Sequence, residues 1–404
     1  MIAEFICSRC SQGLPWNQPL FRCPECGEPL ELPLIRGKMP LGGKSSAPWK
    51  RYLSFFPAFV GEKMGALSMG EGNTPLVEVP SLRQQAGTGA LFLKNETTNP
   101  SWSFKDRGTV TALCHAQWLG FSTIGTVSTG NMAMSVASYG AFTGHKTVVL
   151  VRAGMEEGKL RAIEEFSPVL VEVDGAYDMV FQESLRLGEK AGVYFMNSDA
   201  PFRVEGYKTL AFELFEQLGG EVPDYVVVPT SAGGNIRGIE KGFRELKASG
   251  YATKIPVMVC AQAAGCAPIW RAFAQKSPRI QREANPHTVA HAIENPHPPS
   301  GNAVLRMLQK NGGLCEAVSE EEIHYARKML ARNGFLVQAA SAVGLAAVLS
   351  LSGKGFWTGS EKVVLVLTGS GLKTPGQWGA GGKKKTPRFK VGLDNLPEVL
   401  AMLR

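Results

Sequence analysis

Lys105 stands in a sequence context that suits covalent chemistry. It lies in Asn-Pro-Ser-Trp-Ser-Phe-Lys-Asp-Arg-Gly at residues 99–108, where Pro100 predicts a turn and a helical pattern then runs to about Leu119. In the first turn of a helix, unpaired N–H groups and the positive dipole end lower the proton affinity of an amine. A partly neutral lysine suits imine formation with an aldehyde. Taken alone, the charged residues 105–107 are more typical of a solvated helix start.

Two loops of small residues follow predicted strands and precede helices, which is a favourable arrangement for binding an anion. Residues 229–236 read Pro-Thr-Ser-Ala-Gly-Gly-Asn-Ile, and glycines there let backbone N–H groups turn inward. The spacing is neither that of a Walker loop nor GxGxxG. Residues 128–132, Ser-Thr-Gly-Asn-Met, also offer donors at a helix start. Each loop by itself is equally consistent with a plain helix cap.

Four of the eight cysteines form two CxxC pairs near the N-terminus. Two such knuckles complete a tetrahedral site of four thiolates, so we predict a structural zinc ribbon over residues 1–34. Disulfides and a redox CxxC are the alternatives, and the absence of a secretory signal pattern disfavours the former. The four predicted ligands are Cys7, Cys10, Cys23 and Cys26.

The elements that must position these residues follow a regular pattern. Short, nearly continuous apolar runs alternate with helical patterns, which predicts a parallel sheet covered on both faces. The predicted strands are 124–127, 147–151, 169–173, 225–228, 256–260 and 363–367. Residues 35–65 have no sustained period and are predicted to be a linker over a main body at 66–380, with a smaller lobe at roughly 106–200. Residues 381–404 are predicted to form a basic linker and a short helix.

Composition excludes several classes of protein. The chain has 404 residues, a net charge of +8 and a pI near 9.0, and no apolar run reaches the roughly 20 residues of a membrane span. We expect a cytoplasmic protein with no membrane partner. The basic residues are scattered, so nucleic acid is not an expected partner. A positive field would help to collect phosphorylated substrates, although it also simply aids solubility.

The segment at 99–108 resembles the lysine segment of threonine synthases, which typically read Asn-Pro-Thr-Gly-Ser-Phe-Lys-Asp-Arg-Gly; eight of the ten positions match. Four further segments are similar to that family in the same order. They are Gly-Glu-Gly-Asn-Thr-Pro-Leu at 70–76, the loops at 128–132 and 197–209, and Thr-Gly-Ser-Gly-Leu-Lys at 368–373. The resemblance implies a two-lobed α/β fold of the tryptophan-synthase-β type that binds pyridoxal 5'-phosphate.

The resemblance also implies roles for individual residues. Lys105 would hold the cofactor and act as the catalytic base, and the activity would convert O-phospho-L-homoserine and water to L-threonine and phosphate. The implied cofactor contacts are Lys105, Asn131, Ser231, Ala232, Gly233, Gly234, Asn235 and Thr368. The implied contacts to the phosphorylated amino acid substrate are Ser128, Thr129, Asn197, Ser198 and Arg203.

Three residues depart from the family pattern. Trp102 replaces a usual glycine, Ser101 a usual threonine, and Ser370 a usual histidine or asparagine. The bulky ring of Trp102 could reshape the pocket, so a cysteate or cysteine synthase and a threonine or serine dehydratase remain alternatives. A non-catalytic protein that uses its ribbon on nucleic acid is the rival from another class. The sequence fixes no oligomeric state, and a homodimer is one open alternative.

Overall fold

The described part of the chain folds into three sheets with helices packed around them. The computed structural model describes residues 4–39, 48–154, 157–175, 177–198 and 200–377. A small antiparallel sheet lies at the N-terminus, and two larger sheets are parallel apart from one edge strand. The predicted α/β class with two parallel sheets is therefore confirmed. The basic linker and helix predicted at 381–404 lie outside the described residues.

The bounds of the elements are as follows. The strands are β1 (Glu4–Cys7), β2 (Gly13–Pro15), β3 (Leu30–Glu31), β4 (Leu76–Glu78), β5 (Ala90–Asn95), β6 (Thr123–Val127), β7 (Lys146–Arg152), β8 (Val169–Val173), β9 (Val193–Phe195), β10 (Tyr225–Pro229), β11 (Val257–Ala263), β12 (Leu314–Val318) and β13 (Lys362–Leu367). The α-helices are α1 (Pro48–Arg51), α2 (Ala58–Leu67), α3 (Pro80–Ala86), α4 (Lys105–Trp118), α5 (Asn131–Thr143), α6 (Glu157–Glu164), α7 (Tyr177–Gly188), α8 (Pro201–Gln217), α9 (Gly234–Ala248), α10 (Pro268–Ala274), α11 (Gly301–Asn311), α12 (Glu320–Arg332) and α13 (Ala339–Gly353).

The N-terminal sheet has the order β2-β1-β3, with antiparallel pairing throughout. Gly27 closes the second cysteine knuckle: its φ is +69°, which glycine adopts without strain, and its N–H donates to the carbonyl of Cys23 at 2.9 Å. Phe5 and Leu30 are fully buried and belong to the same apolar core as the main body. The N-terminal sheet is thus packed onto the main body rather than tethered to it.

The larger sheet has the order β12-β11-β10-β13-β5-β4, and only β4 runs antiparallel. The smaller sheet has the order β8-β7-β6-β9 and is parallel throughout. The central strands of the larger sheet, β10 and β13, are buried on both faces, as their continuous valine and leucine runs predict.

Helices α4, α8 and α9 cross one another at very short range. A Cβ at Gly206 of α8 would lie 1.9 Å from the carbonyl oxygen of Arg107 in α4, and a Cβ at Gly238 of α9 would lie 2.8 Å from the carbonyl oxygen of Val204 in α8. Only glycine permits backbones to approach so closely. This packing fixes the start of α4, and with it Lys105, against α8.

The segment before β4 carries structure that the sequence pattern does not predict. Helices α1 and α2 lie there, and Tyr52, Phe55 and Val60 are fully buried. The ring centroids of Phe55 and Phe212 of α8 are 4.4 Å apart. The aromatic residues of this segment therefore complete the core under α8. Among the described helices, none has both the length and the apolar composition that crossing a bilayer requires.

Candidate active site

Lys105 is the first residue of α4, and its side chain is half-buried, with Nζ 4.6 Å from the centroid of the Phe104 ring. The preceding turn is bound to the segment after β13. The N–H of Phe104 donates to the carbonyl of Thr368 at 3.1 Å, and the N–H of Ser370 donates to the carbonyl of Trp102 at 3.0 Å. The structure thus brings Lys105 and Thr368 together from distant parts of the sequence.

Trp102 adopts a backbone conformation that favours glycine. Its φ is +60°, and the residue is 49% exposed between the buried Ser101 and Ser103. A bulky side chain in the left-handed region is strained by about 1–3 kcal/mol. A glycine at this position would adopt the same φ without that strain.

Buried polar contacts hold the first turn of α4. The carboxylate of Asp106 accepts hydrogen bonds from the N–H of Ser101 at 2.6 Å and from the hydroxyl of Ser135 at 2.6 Å. Burial raises the pKa of the Asp106 carboxyl, and these hydrogen bonds oppose that shift. The next residue, Arg107, is buried and forms ion pairs at 2.7 Å with Glu96 and with Glu213. The turn that carries Lys105 is consequently anchored from both sides.

Arg203 lies directly beneath this turn and is fully buried. Its guanidinium donates to the carbonyl of Lys105 at 3.0 Å, to the Thr109 hydroxyl at 3.0 Å, and to the Tyr207 hydroxyl at 3.0 and 3.1 Å. The carboxylate of Glu205, two residues further along α8, binds Lys208 of α8 and Lys241 of α9 instead. The contact of Arg203 with a substrate phosphate stays a prediction, and it would require one of these acceptors to be exchanged.

Asn131 begins α5, and its side-chain amide donates to Oε1 of Gln338 at 2.7 Å. Gln338 itself lies next to Gly369, whose carbonyl accepts its N–H at 3.1 Å. The loop residues Ser128 and Thr129 are half-buried at the end of β6. Asn131 therefore faces the segment that contains Thr368, whereas Ser128 and Thr129 lie on the more open side.

The loop after β10 forms the predicted turn. Gly233 has a φ of +96°, and α9 begins at Gly234, so successive N–H groups are left without helical partners. Asn235 lies in the first turn, and its side-chain nitrogen and oxygen are both buried with no hydrogen-bond partner among the described residues. Ser231 is half-buried and Ala232 is buried beside it. Since buried amides are normally satisfied, this cradle fits a polar ligand such as a phosphate.

Thr368 directly follows β13, and its hydroxyl lies 2.9 Å from that of Ser341 in α13. The hydroxyl of Ser103 is buried beside Lys105 and has no hydrogen-bond partner among the described residues. Neither Ser341, Ser103 nor Gln338 was predicted as a site residue. Ser103 stands inside the lysine motif and could have been found there, but Gln338 precedes the apolar helix α13 and Ser341 lies in its first turn, and neither carries a local signal.

Asn197 is buried in scaffold contacts. Its side-chain oxygen accepts the N–H of Val127 at 3.0 Å, and its nitrogen donates to the hydroxyl of Ser184 at 2.9 Å. Ser198 is half-buried. The structure therefore uses Asn197 to tie the end of β6 to α7, and the predicted substrate contacts of both residues stay predictions.

The four N-terminal cysteines form a compact cluster. Their four Sγ atoms all lie within 4.8 Å of one another, and none of the four cysteines forms a disulfide. The Sγ atoms of Cys7 and Cys26 are 3.4 Å apart, and those of Cys10 and Cys23 are 3.7 Å apart, well beyond the length of a disulfide bond. Four converging sulfurs are the donor set of a structural zinc site, so the residues present fit that metal.

With this geometry established, comparison with known proteins identifies the class. Residues 67–369 match the model of the pyridoxal-phosphate dependent enzyme family. The chain belongs to this family, and it is an enzyme that uses pyridoxal phosphate. The buried, unpartnered amide of Asn235 and the lysine at the start of α4 fit that cofactor.

Among its relatives, the chain is 36% identical over 378 residues to a threonine synthase of Methanocaldococcus jannaschii, covering 91% of this chain and 92% of that protein. It is 34% identical over 376 residues to a threonine synthase of Methanosarcina acetivorans, with the same coverage of both chains. The resemblance to threonine synthases is thereby confirmed.

Solved structures confirm the fold. A maize serine racemase matches with a TM-score of 0.66 at 20% identity, covering 86% of this chain and 97% of that one. A threonine deaminase from Solanum lycopersicum matches with a TM-score of 0.64 at 19% identity, covering 84% and 93%. At these identities the likeness speaks for the architecture and not for the reaction.

Proposed function

We propose that the protein is a threonine synthase, which converts O-phospho-L-homoserine and water to L-threonine and phosphate. The observation that carries this proposal is the identity of 34–36% to threonine synthases over 91% of the chain. The position of Lys105 at a helix start, next to the backbone of Thr368, supports chemistry of the same kind.

The cofactor contacts are proposed as follows. Lys105 Nζ holds pyridoxal phosphate covalently, and the N–H groups of residues 231–235 bind its phosphate at the start of α9. Asn131 contacts the phenolic oxygen of the ring, and the neutral hydroxyl of Thr368 contacts the ring nitrogen. When bound, the cofactor supplies an electron sink for negative charge at the substrate carbon.

The substrate contacts are proposed for the loops at 128–132 and 197–209. Ser128 and Thr129 bind the α-carboxylate, because they offer donors on the open side of the loop. The substrate phosphate is bound by Asn197, Ser198 and Arg203, whose guanidinium matches a phosphoryl group once it exchanges an internal acceptor. Lys105 Nζ would be the base that takes the proton from the substrate Cα once the substrate amine has replaced it on the cofactor.

A second candidate is β-replacement on O-phosphoserine, as in a cysteate or cysteine synthase. The observation that favours it is Trp102, whose half-exposed ring occupies a position where similar enzymes have glycine. A larger side chain next to Lys105 would suit a shorter phosphorylated substrate.

One assay separates the two candidates. Phosphate release and threonine formation from O-phospho-L-homoserine are compared with phosphate release from O-phosphoserine in the presence of sulfite or sulfide. Threonine formation from the first substrate is the expected result. Activity with O-phosphoserine and sulfite or sulfide, but none with O-phospho-L-homoserine, would contradict the proposal and establish the second candidate.

A further inference from the structure

The proposed phosphate turn is supported from behind by the start of α11. The N–H of Ser300 donates to the carbonyl of Ala232 at 3.0 Å. A Cβ at Gly233 would lie 2.7 Å from the side chain of Val304 and 3.0 Å from that of Ser300. The turn at 231–235 therefore cannot move outward without moving α11.

Arg237 connects this support to the ribbon. It lies one turn into α9 with its side chain only 4% exposed, and its Nη1 donates to the hydroxyl of Ser300 at 2.8 Å. Its Nη2 forms an ion pair with the carboxylate of Glu31 in β3. Burial alone would raise the pKa of Glu31, but Arg237 holds the pKa below its ordinary value, so the pair stays charged.

The residues on either side of the second cysteine knuckle also contact the start of α11. The carboxylate of Glu28 accepts hydrogen bonds from Arg306 at 2.8 Å and from Asn302 at 3.1 Å, and its backbone carbonyl accepts the N–H of Cys23 at 3.0 Å. Arg22, one residue before Cys23, donates to the carbonyl of Pro299 at 2.7 Å. The second cysteine knuckle is therefore tied on both sides, through Arg22 and Glu28, to α11 and the residue pair before it.

We propose that the ribbon braces the phosphate turn of the cofactor site, with Arg237 as the positioning residue between Glu31 and Ser300. A metal ion held by the four cysteines fixes residues 22–31, and these residues fix α11 and the turn. This inference rests on the proposed binding of the cofactor phosphate at 231–235. On this proposal, the ribbon contributes to cofactor affinity within the chain and does not need a nucleic-acid partner.

The test compares two cofactors that differ only in the phosphate. Cofactor-free protein is titrated with pyridoxal phosphate and with pyridoxal, and binding is followed by the absorption of the lysine-bound cofactor. Glu31→Gln is expected to weaken the binding of pyridoxal phosphate by roughly tenfold, as the loss of one charged hydrogen bond allows. The affinity for pyridoxal should stay unchanged. Glu25→Gln, an exposed position in the same ribbon, is the matched control and should change neither affinity.

Ser300→Ala removes the same link from the other side and should reproduce the selective loss. Removal of the metal by a chelator, checked by measuring zinc content, should do so as well. Equal affinities of Glu31→Gln and Glu25→Gln for pyridoxal phosphate would overturn the proposed brace. A loss of affinity in Glu31→Gln that is the same for pyridoxal and for pyridoxal phosphate would overturn it as well. If the unchanged protein bound both cofactors equally, the proposed phosphate site would itself be wrong, and the brace with it.

Discussion

The guanidinium of Arg203 donates a hydrogen bond to the backbone carbonyl of Lys105 at 3.0 Å. The two residues belong to different sequence motifs, and the crossing of α4 and α8 places one under the other. A residue predicted to bind substrate thus also supports the residue predicted to hold the cofactor.

Replacing Lys105 tests the centre of the proposal. Lys105→Ala is expected to abolish the absorption band of the lysine-bound cofactor and to lower activity by on the order of 10⁴-fold or more, because the covalent contact and the base at Cα are lost together. The exposed Lys310→Ala serves as the control and should keep both. A variant at position 105 that retained the band would remove this lysine from the site.

Trp102→Gly is expected to stabilise the protein by about 1 kcal/mol, because glycine adopts a φ of +60° without strain. Trp102→Ala removes the same ring but keeps a Cβ in the left-handed region, so it should not show this gain. Thermal unfolding of the two variants separates the backbone effect from the ring. We expect both variants to shift the ratio of kcat/KM between O-phosphohomoserine and O-phosphoserine; an unchanged ratio would mean that the ring has no part in selecting the substrate.

Arg203→Ala is expected to reduce kcat/KM for a phosphorylated substrate by about 100-fold, since a charged, forked donor to the phosphate is lost. The band of the lysine-bound cofactor should remain. Steady-state kinetics and absorption spectra of the same preparation check both points. Unchanged kinetics would leave Arg203 with its structural contact to Lys105 alone.

The sequence pattern predicted the parallel strands well, for a physical reason. Strands such as β10 and β13 are buried on both faces, so their apolar runs are unmistakable. β12 was not predicted, because it carries Glu316, whose carboxylate is satisfied by Ser350 of α13 at 2.7 Å. The carboxylate in this strand is satisfied by a residue from a distant part of the sequence, which a local pattern does not indicate.

The candidate site likewise contains residues that the local sequence indicates and residues that it does not. Lys105 and the turn at 231–235 stand in motifs with their own chemistry, so their types and spacing indicate them. The contact of Asn131 with Gln338 joins residues 207 positions apart, and Gln338 is held there by its N–H bond to the carbonyl of Gly369, after β13. Such a long-range contact cannot be obtained from local composition, so Gln338 was missed although Asn131 was predicted.

The pH dependence of stability should show the buried Glu240 of α9. Burial raises the pKa of its carboxyl to about 7. Between pH 4.5 and 7 the folded state therefore binds more protons than the unfolded state, and this residue lowers stability as the pH rises. Glu240→Gln is expected to be more stable than the unchanged protein by about 2 kcal/mol at pH 8, with almost no gain below the ordinary carboxyl pKa, at about pH 3.5. Denaturant unfolding at the two pH values checks the difference, and the exposed Glu321→Gln should show none.

Glu213 is central to the buried charges behind Lys105. Its carboxylate pairs at 2.7 Å with Arg107 and at 2.7 Å with Lys94, and all three side chains are at most 2% exposed. Burial alone would raise the pKa of Glu213, but these two cations hold the pKa well below its ordinary value. Glu213→Ala should therefore destabilise the protein by about 3–5 kcal/mol, because two buried cations lose their partner.

The surface pair of Glu183 and Arg186 provides the comparison for Glu213. Both side chains are more than half exposed, so Glu183→Ala should leave the denaturation midpoint unchanged. A double variant, Lys94→Met with Glu213→Leu, removes one buried cation together with the carboxylate and should recover part of the loss. If Glu213→Ala unfolded at the same denaturant concentration as Glu183→Ala, the buried charges would not be what anchors the start of α4.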